Sequence, residues 1–107
     1  MGSSIEFGVL REGSTIALMG EYRVTVDEGV LEELTAVLRR IEANTGEELD
    51  TYGQASFSGG ALKEFIRELR TVVPSAISAA AAEFVADLLR VAEYAQREGK
   101  SVSYFGL

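Results

Sequence analysis

Apolar positions follow two rhythms along the chain. Near the start, Ile5, Phe7 and Val9 alternate with Glu6 and Gly8, and the turn-forming run Arg11-Glu12-Gly13-Ser14 follows. Alternation resumes at Ile16 and Leu18, and again at Tyr22, Val24 and Val26 with Arg23, Thr25 and Asp27 between. Such a period of two buries one face of a β-strand. Gly20-Glu21 admits either a two-residue hairpin turn or a bulge in one long strand, because the alternation keeps its phase through it. The pattern favours a three-strand antiparallel meander.

From Asp27 onward the spacing turns helical. With Asp27 as N-cap, Val30, Leu31, Leu34, Val37, Leu38 and Ile41 share a face until Asn44-Thr45-Gly46, which predicts a helix over residues 28–44. Ser58 caps a second helix carrying Leu62, Phe65, Ile66, Leu69 and Val73, and Pro74, the only proline, breaks it. A third helix over residues 75–98 places Ile77, Ala81, Phe84, Leu88, Val91, Ala92 and Ala95 on one stripe, and Gly99 stops it. Ala79, Ala80, Ala82 and Ala86 widen this into a small-residue surface that either packs under the other helices or forms a seam between two copies. Val102, Tyr104 and Phe105 read as a closing strand at the sheet edge, beside an N-terminal strand. Strands, three helices and a last strand predict one α+β domain over residues 1–107, with the helices on one face of a mainly antiparallel sheet.

Composition narrows the chemistry. There is no Cys, His or Trp, so nucleophilic catalysis by Ser-His or Cys-His pairs, thiolate or imidazole zinc sites and disulfides are all excluded. Glu47, Glu48 and Asp50 lack the spacing of a calcium loop, and no glycine-rich phosphate motif is present. The expectation is a protein without catalytic, cofactor or metal residues. Glu6 stands where a secretory leader would be apolar, and Glu83, Asp87 and Arg90 interrupt the longest apolar stretch, so neither a leader nor a membrane span is expected, and a cytoplasmic location is.

Charge changes the picture further. The net charge of −7 arises wholly in residues 1–50, which hold 11 acidic and four basic residues, while residues 51–107 hold six of each. A field of that sign repels nucleic acid and anionic lipid and favours a cationic protein partner, although it also serves simple solubility. Helix one and the 14-residue loop Thr45–Ser58 carry the candidate partner-binding residues Glu28, Glu32, Glu33, Glu47, Glu48 and Asp50, with Tyr52 and Phe57 as aromatic anchors. In the alternative packing, Leu49, Tyr52 and Phe57 plug the loop into the core.

In size, acidity and layout from Ile5 to Leu107 the chain resembles the immunity proteins of bacterial toxin systems, a likeness of class in which no signature residue is matched. The resemblance implies an inhibitor whose acidic surface occludes a basic bacterial toxin domain, and the anionic charge itself argues against a role for nucleic acid or membrane. The alternative is a structural or regulatory module, monomer or homodimer, that self-associates through the alanine surface or an unpaired edge at Ser101–Phe105.

Overall fold

The computed structural model describes residues 5–107. Strands β1 (Ile5–Leu10) and β2 (Leu18–Val26) precede α1 (Glu28–Glu33) and α2 (Thr35–Thr45). Strand β3 (Gln54–Phe57), α3 (Gly59–Leu69), a 3-10 turn at Pro74–Ala76, α4 (Ala79–Arg97) and β4 (Val102–Phe105) complete the chain. All strand pairs are antiparallel, in the order β2-β1-β4-β3. The α+β layout expected from the sequence is the one observed.

Register explains the core. Ile5 lies opposite Val26, Phe7 lies between Val24 and Tyr104, and Phe57 lies opposite Val102, so alternation turns all of these to one face, where each is buried. Helix α4 packs on β1, β2 and β4, and α3 packs on β3. Phe7 is the hub, with ring centroids 4.9 Å from Tyr104, 5.8 Å from Phe84 of α4 and 6.2 Å from Phe65 of α3. The opposite face carries Glu6, Arg23, Thr25, Gln54 and Ser56, with Glu6 and Arg23 paired at 3.6 Å. Among the described residues, no helix is long and apolar enough to cross a membrane.

Three local features depart from the sequence pattern. The segment expected as two strands is the single strand β2 with a bulge: from Gly8 to Leu10, β1 advances two residues while β2 covers five, from Leu18 to Arg23. Tyr22 of the bulge stacks on Tyr94 of α4 at 3.6 Å, and Arg90 donates to the Glu21 carbonyl at 3.1 Å. Gly8 makes room for this excursion, because a Cβ there would stand 2.5 Å from the Tyr22 carbonyl oxygen. Ile16, expected within a strand, lies in the connecting turn and is exposed.

The first helix is interrupted at Leu34, whose amide donates to the Leu31 carbonyl while the Thr35 hydroxyl donates to the Glu32 carbonyl. Side-chain bonding to the helix backbone of this kind bends helices. As a result α1 packs against α4 whereas α2 packs against α3.

The mid-chain loop contains β3, which pairs with the outer side of β4. The closing strand is therefore interior, flanked by β1 and β3. Its backbone is occupied on both sides, so self-association through an open edge at Ser101–Phe105 is ruled out.

One polar network ties α2 to α3. The nearly buried Glu68 carboxylate accepts from Arg40 Nε at 2.8 Å and from Asn44 Nδ2 at 3.0 Å, and Arg40 also reaches the Thr71 hydroxyl at 3.3 Å. Removing the cation strands the carboxylate, which costs more than the pair itself is worth. Arg40→Ala is expected to lower stability in urea unfolding by about 2 kcal/mol, and adding Glu68→Leu to recover most of that loss.

Candidate functional site

The break at Leu34 and the loop that follows α2 flank an open, solvent-facing cavity of about 290 Å³. Glu28, Leu31 and Glu32 line it before the break, and Thr35, Leu38, Arg39 and Glu42 after it. Leu49 and Thr51 form the opposite wall, with Ile5 of β1 and Tyr104 of β4 also in the lining.

That wall is pinned rather than loose. The Glu42 carboxylate accepts from the Leu49 amide at 2.8 Å, and the Tyr104 hydroxyl donates to the Asp50 carbonyl at 2.8 Å. Beyond β4, the Gly106 amide donates to the Gly53 carbonyl at 2.8 Å and the Leu107 amide to the Thr51 carbonyl at 2.6 Å. Burial first, then the charges of Asp50 and Glu42, push the Tyr104 hydroxyl above the usual tyrosine value of 10.0. It is therefore protonated, and able to donate, at neutral pH.

The residues expected to bind a partner separate into several places. Glu28 and Glu32 are exposed at the cavity. Glu33 instead accepts from the Ser78 hydroxyl at 2.7 Å and the Ser78 amide at 3.0 Å, so it ties α1 to the start of α4. Glu47 faces away from the cavity and accepts from the Ser56 amide of β3 at 3.3 Å. Asp50 accepts from the Tyr52 amide at 3.0 Å, a turn that leaves Tyr52 78% exposed, and Glu48 is exposed nearby. Phe57 is no surface anchor: it is fully buried and stacks on Phe65 at 4.6 Å, because its place opposite Val102 turns it to the helix side.

Carboxylates left free define the surface. Glu6, Glu64, Glu68 and Glu93 are ion-paired, and Asp27, Glu33, Glu42, Glu47 and Asp50 accept hydrogen bonds. Among the described residues, Glu12, Glu21, Glu28, Glu32, Glu48, Glu83, Asp87 and Glu98 have neither kind of side-chain partner, and all are exposed. Glu83 and Asp87 line a groove beside the outer strand β2 together with Asp27. Asp27 lines this groove and Glu28 lines the cavity, so the two flank the start of α1 without sharing a lining residue.

Glu83 and Asp87 escape a sequence reading because the second half sums to zero and Arg90 stands one helical turn beyond Asp87. Arg90 turns instead to the Glu21 carbonyl and the Tyr22 ring, 5.8 Å from its centroid. Among the described residues no group of three or more acids is placed to hold a metal ion.

No protein-family model and no curated protein matches the chain. Among solved structures, the Neisseria DNA mimic protein DMP12 superposes with a TM-score of 0.71, over 96% of this chain and 99% of that one, at 16% identity. At that identity the likeness establishes the fold. It also corrects the expected partner: a structural neighbour that mimics DNA overturns the expectation of a basic toxin domain with no connection to nucleic acid.

The Glu33 contact has a pH signature. Hydrogen bonds from the Ser78 hydroxyl and then its amide hold the Glu33 carboxyl below its usual 4.5, so their contribution is complete above 4.5 and lost as pH falls through the lower folded-state value. In urea unfolding followed across that range, Glu33→Gln is expected to lose stability less steeply on acidification than the wild type. Equal slopes in the two proteins would remove this role.

Proposed function

We propose that this protein is a non-catalytic binder that occupies the DNA site of a DNA-binding protein, its exposed carboxylates standing where phosphates would lie. The observation that carries the reading is the set of unpartnered carboxylates, displayed on the fold shared with a DNA mimic. A duplex presents about one negative charge per 1.7 Å of axis, and a protein that binds it answers with Lys and Arg. Here Glu28 and Glu32, like Glu83 and Asp87, are separated by one helical turn, roughly 6 Å along the axis. Two such pairs, one on α1 and one on α4, flank the start of α1 and offer regularly spaced charges to a cationic groove shaped for a nucleic-acid backbone. The repulsion that bars this chain from nucleic acid is what suits it to nucleic acid's partners. Complementary charge of this kind accelerates encounter and loses force as salt rises.

Competition tests the reading. Basic proteins recovered from a bacterial lysate on duplex-DNA resin are each loaded with a fluorescent duplex, and the chain is added while anisotropy is followed. It is expected to release the duplex from at least one of them, less well as salt rises from about 50 to 200 mM. The variant Glu28→Gln/Glu32→Gln/Glu83→Gln/Asp87→Asn is expected to need about tenfold more protein, as befits loss of several charge contacts. No release from any of them at low salt would overturn the proposal.

A further inference from the structure

We infer that the cavity between the α1–α2 break and the pinned loop receives one arginine side chain of the partner, and so is the anchor point of the interface. This rests on the reading of the protein as a DNA mimic, which makes the partner's surface cationic. The cavity volume of about 290 Å³ falls just below the roughly 300–1,000 Å³ typical of small-molecule sites, and it suits one long side chain better than a nucleotide.

Its chemistry is divided as an arginine is divided. Leu31, Leu38 and Leu49 offer apolar surface for the aliphatic stem, while the carboxylates of Glu28 and Glu32 stand free for the guanidinium. A planar fork with five donors can engage two carboxylates at once, which a lysine ammonium does less well. Glu42 is committed to the Leu49 amide and adds charge without offering a free carboxylate oxygen pair. Arg39 is the one cation in the lining and has no ion-pair partner among the described residues, so it opposes an incoming guanidinium. Both walls are held before binding, one by the helices and the other by the bonds from Tyr104 and Leu107. Little ordering remains to be paid on association, the condition under which buried arginines become the strongest contacts of an interface.

The probe is a capped hexa-arginine peptide, titrated into 15N-labelled protein with capped hexa-lysine as comparison. Amide shifts are expected to concentrate at Leu31, Thr35, Leu49 and Thr51, with hexa-arginine binding several-fold more tightly than hexa-lysine. Glu28→Gln/Glu32→Gln is expected to weaken hexa-arginine about tenfold, one helical pair of charges lost. Arg39→Gln is expected to strengthen it several-fold, an outcome that a merely disrupted fold does not give. Shifts centred on Glu83 and Asp87, or spread evenly over the exposed acids, would overturn the inference.

The same proteins are then carried into the DNA-displacement assay, with Thr51→Phe added to fill the cavity. If the wild type releases DNA and Thr51→Phe releases it equally well, the cavity is not the anchor and the mimic reading stands. If the wild type releases none while hexa-arginine still binds at Leu31 and Leu49, the mimic reading fails and an arginine site remains.

Discussion

The cross-strand contact between Phe7 and Tyr104 is the point on which the other layers rest. It joins β1 to β4 at the middle of the sheet, and the same two rings meet the helices above and the loop beside them. Phe7 touches aromatic rings of α3 and α4, while the Tyr104 hydroxyl crosses to the Asp50 carbonyl and holds the loop that walls the cavity. Core burial and site geometry therefore share one pair of side chains. A change that loosened this pair would reach the acidic surface without altering a single charge on it.

Charge arrangement, more than charge total, distinguishes this surface. Many small domains carry an excess of acid for solubility alone. Here most nearby cations are engaged elsewhere: Arg40 goes to Glu68, Arg70 to Glu93, Arg67 to Glu64 and Arg90 to a backbone carbonyl, which leaves Arg39 as the one cation in the cavity lining. Glu28 and Glu32 of α1, and Glu83 and Asp87 in the first half of α4, are left to solvent. Pairing these basic residues with other carboxylates and a backbone carbonyl thus shapes the anionic surface as surely as the free acids do.

Legibility in the sequence followed the range of the interactions. Helical and strand periods, the Asp27 cap and the glycine stops at Gly46 and Gly99 are local, and the elements they predict are present, although the helix expected from residue 75 begins at Ala79, capped by Ser78 after a separate 3-10 turn. The bulge in β2 was open because a phase-preserving Gly20-Glu21 fits a turn and a bulge equally, and only packing of Tyr22 on Tyr94, distant in sequence, decides. Strand β3 is four residues with one buried side chain, too short for a period to show. The split at Leu34 leaves the apolar spacing intact, so it is invisible to pattern. Of the residues the proposed site uses, Glu28 and Glu32 were legible from the acidic run, whereas Glu33 was lost to Ser78 and Phe57 to the core, partners 45 residues away or across the sheet.

The order of the strands also governs when the protein can exist. Strand β4, last of the described elements in the chain, lies between β1 and β3. Until it is made, β1 has one neighbour, β3 has none, and the apolar face of Phe7 and Phe57 is open. A ribosome extends the chain far more slowly than a small domain folds, so the nascent chain waits with its sheet divided and its core exposed. Closure of the sheet, and with it the loop wall that Tyr104 holds, therefore waits on insertion of β4.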